Sequence, residues 1–231
     1  MSSVLDLVIF DCDGVLIDSE IIGITLTLKL LKEHGVHIDF NEFSSRFSGL
    51  TWDELIESIR TQKGVALPAS IRDSFHAALL EAFATSLKRI DGTLEVLSAL
   101  DIPCCICSNS SASQLDYSLS LVELKHFFPE RIFSAVDLGP GRGKPQPDIF
   151  LHAAKILHAD PVHTLVVEDS VHGVTAASRA GMTVIGFTGG AHTYPQHAEK
   201  LLAAGARSTI ASMHQLPDEI ARLAGQGDTR S

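Results

Sequence analysis

A short apolar run near the N-terminus ends abruptly in two carboxylates and a glycine. Residues 4–10 are Val-Leu-Asp-Leu-Val-Ile-Phe, and Asp11-Cys12-Asp13-Gly14 follows directly. Such a run is too short to cross a membrane and is typical of a strand buried in a parallel sheet. Two acids at the end of a buried strand are unfavourable unless a cation or a reaction uses them. Because ligands of open α/β sheets bind outside the carboxyl ends of the strands, this junction predicts a functional site.

The chain beyond residue 90 alternates short apolar runs with helical patterns. The predicted strands are 102–107, 132–136, 165–167, 184–187 and 209–210, and the predicted helices are 94–100, 112–121, 149–157 and 171–179. Repeated βα units of this length indicate a parallel sheet with helices on both faces.

The segment between the acidic loop and residue 90 shows only helical patterns. Helices are expected over 19–31, over 51–59 from a capping box that begins at Thr51, and over 68–87. We therefore predict an α/β fold, in which a Rossmann-like parallel sheet flanked by helices carries an inserted all-helical cap. The core would consist of residues 1–18 and 90–231, and the predicted cap of residues 19–89.

Charge and composition restrict the partners of the chain. Lys and Arg number 18 against 28 Asp and Glu, a formal net charge of −10, which disfavours a nucleic-acid or anionic-membrane surface. The absence of a long apolar stretch and of a signal-peptide pattern predicts a cytoplasmic protein without membrane contact. A monomer is expected, and the four cysteines are expected to be buried and reduced.

Polar residues follow four of the predicted strands, and their types complement one another. They are Asp11 and Asp13, Ser108 and Asn109, Lys144, and Glu168 with Asp169. In a parallel sheet these junctions share one edge, so the side chains can converge. Close carboxylates need a cation, and hard oxygen ligands with open positions suit Mg²⁺ together with a substrate phosphate. An Asp beside such a phosphoryl group is a possible nucleophile, and a second acid can transfer protons.

Taken together, the motifs resemble those of the haloacid dehalogenase-like hydrolase superfamily. They are Asp11-x-Asp13-Gly14-Val15-Leu16-x-Asp18-Ser19, Ser108-Asn109, Gly143-Lys144-Pro145-x-Pro147-Asp148-x-Phe150 and Val167-Glu168-Asp169-Ser170-x-x-Gly173. They occur in the family's order over nearly the whole chain, and the helical segment lies at the family's first insertion point. The branch of β-phosphoglucomutase-like and phosphoglycolate phosphatase-like proteins is the most similar.

The resemblance implies a catalytic role for three residues and a binding role for two more. Asp11 would be the nucleophile and Asp13 the general acid/base. Lys144 would bind both Asp11 and the phosphoryl oxygens, while Ser108 and Asn109 would contact the phosphoryl group.

The resemblance also implies a Mg²⁺ site. Its ligands would be the Asp11 carboxylate, the Asp13 backbone carbonyl and the Asp169 carboxylate, with Glu168 acting through water.

The expected function is that of a Mg²⁺-dependent phosphatase for a small phosphorylated metabolite such as a sugar phosphate. One alternative is a phosphosugar mutase, but mutases of this branch carry an Arg shortly after the cap glycine and a His early in the first cap helix. Here the chain has Gly49-Leu50-Thr51-Trp52 and Gly23. A metal-free dehalogenase would have no use for the acid cluster, and a non-enzymatic phospho-Asp switch would lack the second acid of the first motif.

Several other residues invite a functional interpretation. His172, His192 and His197 are expected to be surface or loop histidines rather than metal ligands, because no helical spacing pairs them with the acids. Gly173 is expected to allow close helix–sheet packing. Arg46 and Trp52 are the expected substrate contacts of the predicted cap.

Overall fold

A single parallel sheet forms the centre of the molecule. The structure is a computed structural model that describes residues 5–47, 50 and 52–226 of the chain. Within them, six strands pair in the order β3-β2-β1-β4-β5-β6. The strands are β1 (Leu7–Phe10), β2 (Cys104–Ser108), β3 (Ile132–Ser134), β4 (Thr164–Glu168), β5 (Thr183–Phe187) and β6 (Ser208–Ile210). All five strand pairings are parallel, which confirms the predicted Rossmann-like sheet.

Ten α-helices accompany the sheet in the described part of the chain. They are α1 (Glu20–Glu33), α2 (Phe40–Arg46), α3 (Trp52–Lys63), α4 (Ile71–Ser86), α5 (Thr93–Ala99), α6 (Ala112–Leu121), α7 (Asp148–Ile156), α8 (Val171–Arg179), α9 (His197–Ala204) and α10 (Leu216–Gln226). None of these helices is both long and apolar enough to span a membrane.

The apolar character of β1 follows from its central position. Val8 and Phe10 belong to one hydrophobic cluster, whereas Leu7 and Ile9 belong to a second cluster, and all four side chains are fully buried. Successive side chains of a strand point to opposite faces, so a strand covered on both faces must be apolar throughout. The two clusters therefore mark the two helix-covered faces of the sheet.

Helices α1 to α4 lie between β1 and α5 and have apolar clusters of their own. One cluster includes Ile24, Phe43 and Ile59, and the other is built on Phe75 and Phe83 of α4. The segment that enters this helical region and the segment that leaves it lie side by side, because the Asp18 N–H donates to the Lys88 carbonyl over 2.9 Å. The division into a core and a cap at residues 19–89 stays a prediction.

Three helices have no counterpart in the sequence prediction. They are α2, α9 and α10, and the last runs through Gly225 and Gln226. The predicted capping box falls partly on Thr51, which lies outside the described residues, as does Gly49. The four cysteines are free and buried, as expected.

Candidate active site

The ends of three adjacent strands bring the predicted site residues together. Phe10 of β1 pairs with Ile106 of β2 on one side and with Val167 of β4 on the other. Asp11 follows Phe10, and its N–H donates to the Val167 carbonyl over 3.0 Å. The carboxyl ends of β1, β2 and β4 therefore lie at one edge of the sheet, as parallel pairing requires.

Lys144 joins all three of these strand ends. Its Nζ donates to Asp11 Oδ1 at 2.6 Å, to Glu168 Oε1 at 2.5 Å and to the Cys107 carbonyl at 2.8 Å. The side chain is only 4% exposed, and its ammonium lies 5.1 Å from the centroid of the Phe150 ring. Burial alone would lower the pKa of Lys144, but the charges of Asp11 and Glu168 raise it above its ordinary value. Lys144 is therefore a fixed positive charge beside Asp11.

Glu168 is fully buried, and the protein occupies both of its carboxylate oxygens. Oε1 accepts from Lys144, while Oε2 accepts from the backbone N–H and the hydroxyl of Ser170, each at 3.0 Å. Gly173 makes room for this carboxylate, because a Cβ at that position would lie 1.8 Å from Glu168 Oε1. Gly173 thus allows Glu168 to pack closely against α8, in addition to the helix–sheet packing expected from the sequence.

Three buried carboxylates form a cluster that fits a divalent cation. Each of Asp11, Glu168 and Asp169 offers an oxygen within 4.8 Å of the others. Burial raises the pKa of the Asp11 carboxyl well above its ordinary value; Lys144 opposes this rise, and Glu168 and Asp169 add to it. Three ionised carboxylates beside one ammonium carry a net negative charge that a cation would balance. Carboxylate oxygens are also the ligands that Mg²⁺ prefers. The donor set and its charge therefore suit Mg²⁺.

The Asp13 side chain belongs to a different network. Its Oδ1 accepts from the Ser19 hydroxyl at 2.7 Å, and its Oδ2 accepts from the hydroxyls of Ser110 at 2.7 Å and Ser108 at 3.3 Å. The Asp13 carboxylate is not part of the three-carboxylate cluster. The Ser110 hydroxyl was not among the predicted contacts, although its position two residues beyond β2 was the available signal.

Asn109 holds the loop that carries Lys144. Its side-chain oxygen accepts from the Lys144 backbone N–H at 2.9 Å, and its amide nitrogen donates to the Lys144 carbonyl at 3.4 Å. The residue is exposed, unlike the buried Ser108. In this structure the Asn109 side chain is therefore engaged in fixing the lysine backbone.

Two histidines that were expected to be ordinary loop residues lie against Asp169. His192 Nε2 is 3.0 Å from Asp169 Oδ2, and His197 Nε2 donates to the Asp169 backbone carbonyl at 2.6 Å. Both rings are buried, each with 4% exposure, so neither is a surface histidine, although His192 lies in the loop after β5 and His197 begins α9. No motif pointed to them, because their contact with Asp169 depends on the path of the loop after β5.

The two expected substrate contacts lie in the packing of the predicted cap. The Arg46 guanidinium donates to Glu42 Oε1 at 2.9 Å and to Gln62 Oε1 at 2.6 Å. Trp52 packs on Phe75, with ring centroids 4.7 Å apart. The structure does not bring either residue to the carboxylate cluster.

Comparisons with known proteins show which family the chain resembles. A model of the haloacid dehalogenase-like hydrolases matches residues 8–187. The 6-phosphogluconate phosphatase of Escherichia coli (strain K12) is 31% identical over 215 residues, which cover 93% of this chain and 94% of that protein.

Solved structures show the same similarity. A conserved haloacid dehalogenase-like protein of unknown function from Agrobacterium tumefaciens str. C58 is 48% identical, with a TM-score of 0.92 over 95% of this chain and 99% of that one. A haloacid dehalogenase family hydrolase from Deinococcus radiodurans R1, with bound phosphate and sodium, is 33% identical, with a TM-score of 0.82 over 96% of this chain and 97% of that one.

Proposed function

The chain belongs to the haloacid dehalogenase-like hydrolases and is a phosphoric monoester hydrolase, and we propose that it releases phosphate from a small phosphorylated metabolite through a phosphorylated Asp11. The observation that carries this proposal is the position of Lys144 Nζ. It lies 2.6 Å from Asp11 Oδ1, beside a cluster of carboxylates suited to a cation. A nucleophilic carboxylate must stay ionised next to a phosphoryl group, and a fixed ammonium favours that form.

In the first step, an Asp11 carboxylate oxygen attacks phosphorus and the bond from phosphorus to the leaving oxygen breaks. Asp13 donates its proton to that leaving oxygen, so the alcohol departs neutral. Ser19, Ser108 and Ser110 hold the Asp13 carboxyl group. Lys144 offsets the negative charge of the phosphoryl oxygens.

In the second step, water attacks phosphorus and the bond from phosphorus to the Asp11 oxygen breaks. Asp13 now takes the proton from the water, which returns it to its starting state. The Asp11 carboxylate is regenerated and inorganic phosphate leaves. One acid therefore serves both halves of the reaction.

We propose Mg²⁺ as the cofactor, held by the Asp11 and Asp169 carboxylates and the Asp13 backbone carbonyl. Bound Mg²⁺ supplies charge stabilisation to the phosphoryl oxygens. Glu168 would act through water, and the use of both its oxygens by Lys144 and Ser170 supports that role. We retain the expectation of a cytoplasmic monomer as part of the proposal.

The substrate class that we propose is a phosphorylated sugar or sugar acid. The support is the similarity to the 6-phosphogluconate phosphatase along almost the full length of both chains. The mutase alternative gains no support from Gly23, which supplies no side chain for a second phosphate and lies near Phe75. Hydrolysis is therefore the reaction we favour.

The test is phosphate release from a panel that contains 6-phosphogluconate, other sugar phosphates and glycerol phosphate, each with Mg²⁺. Asp11→Asn should lower kcat by about 10³-fold or more, because the amide is not a nucleophile. Asp101→Asn changes an exposed Asp in the same way and should leave kcat unchanged. Acid quenching during turnover should trap a phosphoryl group on Asp11. Absence of turnover across the panel, or full activity of Asp11→Asn, would contradict the proposal.

A further inference from the structure

Asp169 is held by two histidines from the segment that follows β5. His192 Nε2 contacts the carboxylate oxygen Oδ2 at 3.0 Å, and His197 Nε2 bonds the backbone carbonyl of the same residue at 2.6 Å. One contact fixes the side chain and the other fixes the main chain. Both rings are buried, so water competes little for either contact.

The His192 ring has a closely defined place. A Cβ on Gly190 would lie 2.6 Å from His192 Nδ1, and a Cβ on Gly14 would lie 2.9 Å from its Cε1. Two glycines thus allow backbone to approach the ring more closely than any other residue type would permit. The ring is therefore packed closely against the backbone at Gly14 and Gly190, with its Nε2 on Asp169.

The second histidine is supported from the same segment. His197 Nδ1 lies 3.4 Å from the Thr193 hydroxyl, and the ring stacks on Tyr194 with 4.7 Å between centroids. The segment from Gly190 to His197 therefore forms a support whose polar contacts converge on Asp169.

We propose that His192 is a positioning residue for the metal site, which holds one Asp169 oxygen so that the other is directed to the cation. This inference rests on the proposed function, because it assumes that Asp169 binds a divalent ion. Hydrogen bonds to a ligating carboxylate fix its orientation, and loss of such a partner typically weakens metal binding 10- to 100-fold. His192 itself is not a ligand in this proposal.

The experiment measures divalent-cation binding directly, by titrating the metal-free protein with Mn²⁺ and following the free ion by electron paramagnetic resonance. His192→Leu removes the donor, and His192→Asn carries an amide that falls short of the Nε2 position. His192→Gln can place an amide N–H near that position. The control is His37→Leu, an equivalent change at an exposed histidine between α1 and α2.

We expect His192→Leu and His192→Asn to raise the Mn²⁺ dissociation constant about 10-fold or more, and His192→Gln to stay within about 3-fold of the parent protein. In parallel, the Mg²⁺ concentration for half-maximal phosphatase activity should rise while kcat at saturating Mg²⁺ changes less. A role in packing alone would affect Gln and Asn alike. The comparison of these two polar variants keeps the test valid if His192→Leu does not fold.

An unchanged Mn²⁺ dissociation constant in folded His192→Leu or His192→Asn would overturn the inference and leave the phosphatase proposal intact. Tighter binding would also overturn it, because His192 would then compete with the metal for Asp169. If the parent protein binds no divalent cation, the inference falls together with the proposed cofactor. Phosphate release by the parent protein separates that result from failure of the whole proposed function.

Discussion

At the scale of single residues, Gly14 shows how strongly the site depends on a missing side chain. Its φ is +80°, and a Cβ there would lie 1.9 Å from Asp169 Oδ2 and 2.9 Å from His192 Cε1. Two independent constraints, backbone conformation and space, therefore select glycine at this position. Gly14 can be assigned to the acidic loop from the sequence, but its contact with Asp169 is visible only in the fold.

We predict that Gly14→Ala lowers kcat/KM at least about 100-fold, because Asp169 must move. The matched control is Gly35→Ala, since Gly35 has a φ of +79° and nothing within 4 Å of an added Cβ. Both variants should lose about 1 kcal/mol of unfolding free energy from the strained backbone. Phosphatase assays of the two variants separate the effects. Equal activity in both would show that Asp169 tolerates the displacement.

Glu20, the first residue of α1, makes the stability of the protein depend on pH. Burial raises the pKa of this carboxyl to about 7; the His192 charge opposes the rise, and Asp169, Asp13 and Glu168 add to it. Because the folded-state pKa lies above the unfolded value, Glu20 contributes stability that is complete below about pH 4.5. That contribution is lost as the pH rises through about 7.

We predict that Glu20→Gln removes this part of the pH dependence. Near pH 5 the variant and the parent should differ little, whereas at pH 8 the variant should be more stable by up to about 3 kcal/mol. Urea unfolding in metal-free buffer at both pH values provides the measurement. Glu81→Gln alters an exposed glutamate inside α4 and should show no such trend. A stability difference that does not change between pH 5 and pH 8 would rule out a titrating Glu20.

At the scale of elements, the sequence patterns were sufficient for the strands and for most helices. Helices α6 and α8 have the predicted bounds, and β4 extends only one residue beyond the predicted strand at each end. The two helices combine a clear apolar pattern with a capping serine. The Ser111 side chain accepts from a backbone N–H in the first turn of α6, and Ser170 does the same for α8. Local sequence and tertiary packing favour the same structure here.

Among the missed helices, α2 and α9 are short, although the Asp39 side chain caps α2 by accepting from the Glu42 N–H. Helix α2 has seven residues, and α9 begins after Gln196, which has a φ of +66° and makes no side-chain cap. Both are stabilised by their surroundings rather than by intrinsic propensity.

The candidate site likewise contains residues that the sequence predicted and residues that only the fold shows. Strand-end acids and Lys144 could be predicted from topology, but the contacts of His192 and His197 depend on loop paths that no periodicity encodes.

Helix α9 also contacts the predicted cap. Lys200 Nζ donates to the Ser45 carbonyl in the last turn of α2 at 2.8 Å and lies 4.9 Å from the centroid of the Tyr194 ring. A cation at a helix C-terminus is favoured by the unpaired carbonyls and by the helix dipole. This contact joins α9, whose His197 lies on Asp169, to α2 of the predicted cap.

We predict that Lys200→Met weakens the contact between α9 and the predicted cap, because methionine keeps the apolar stem and loses the donor. The KM for substrate should rise about 3- to 10-fold with a smaller change in kcat, and amide hydrogen exchange in α2 should become faster. Lys155→Met, at an exposed lysine of α7, is the control. Unchanged KM and unchanged exchange would mean that this hydrogen bond does not hold the cap.

At the scale of the whole molecule, metal binding should stabilise the fold. A ligand that binds only the folded state adds about 2.7 kcal/mol at 100 times its dissociation constant. We predict this order of increase in unfolding free energy when Mg²⁺ is added to metal-free protein, and its loss on chelation. Asp169→Asn should abolish the increase, whereas Asp101→Asn should retain it. Equal stabilisation of both variants would indicate that Mg²⁺ binds elsewhere.

The central place of β1 in the sheet has a consequence for biosynthesis. Leu7 pairs with Thr164, so β1 leaves the ribosome long before β4, the partner strand that contains Thr164. Until β4 emerges, one edge of β1 has no hydrogen-bonding partner, and Asp11 lacks the neighbouring acids Glu168 and Asp169. We therefore expect the nascent chain to gain its hydrolytic competence late in translation and in one cooperative event, since domains generally fold as units.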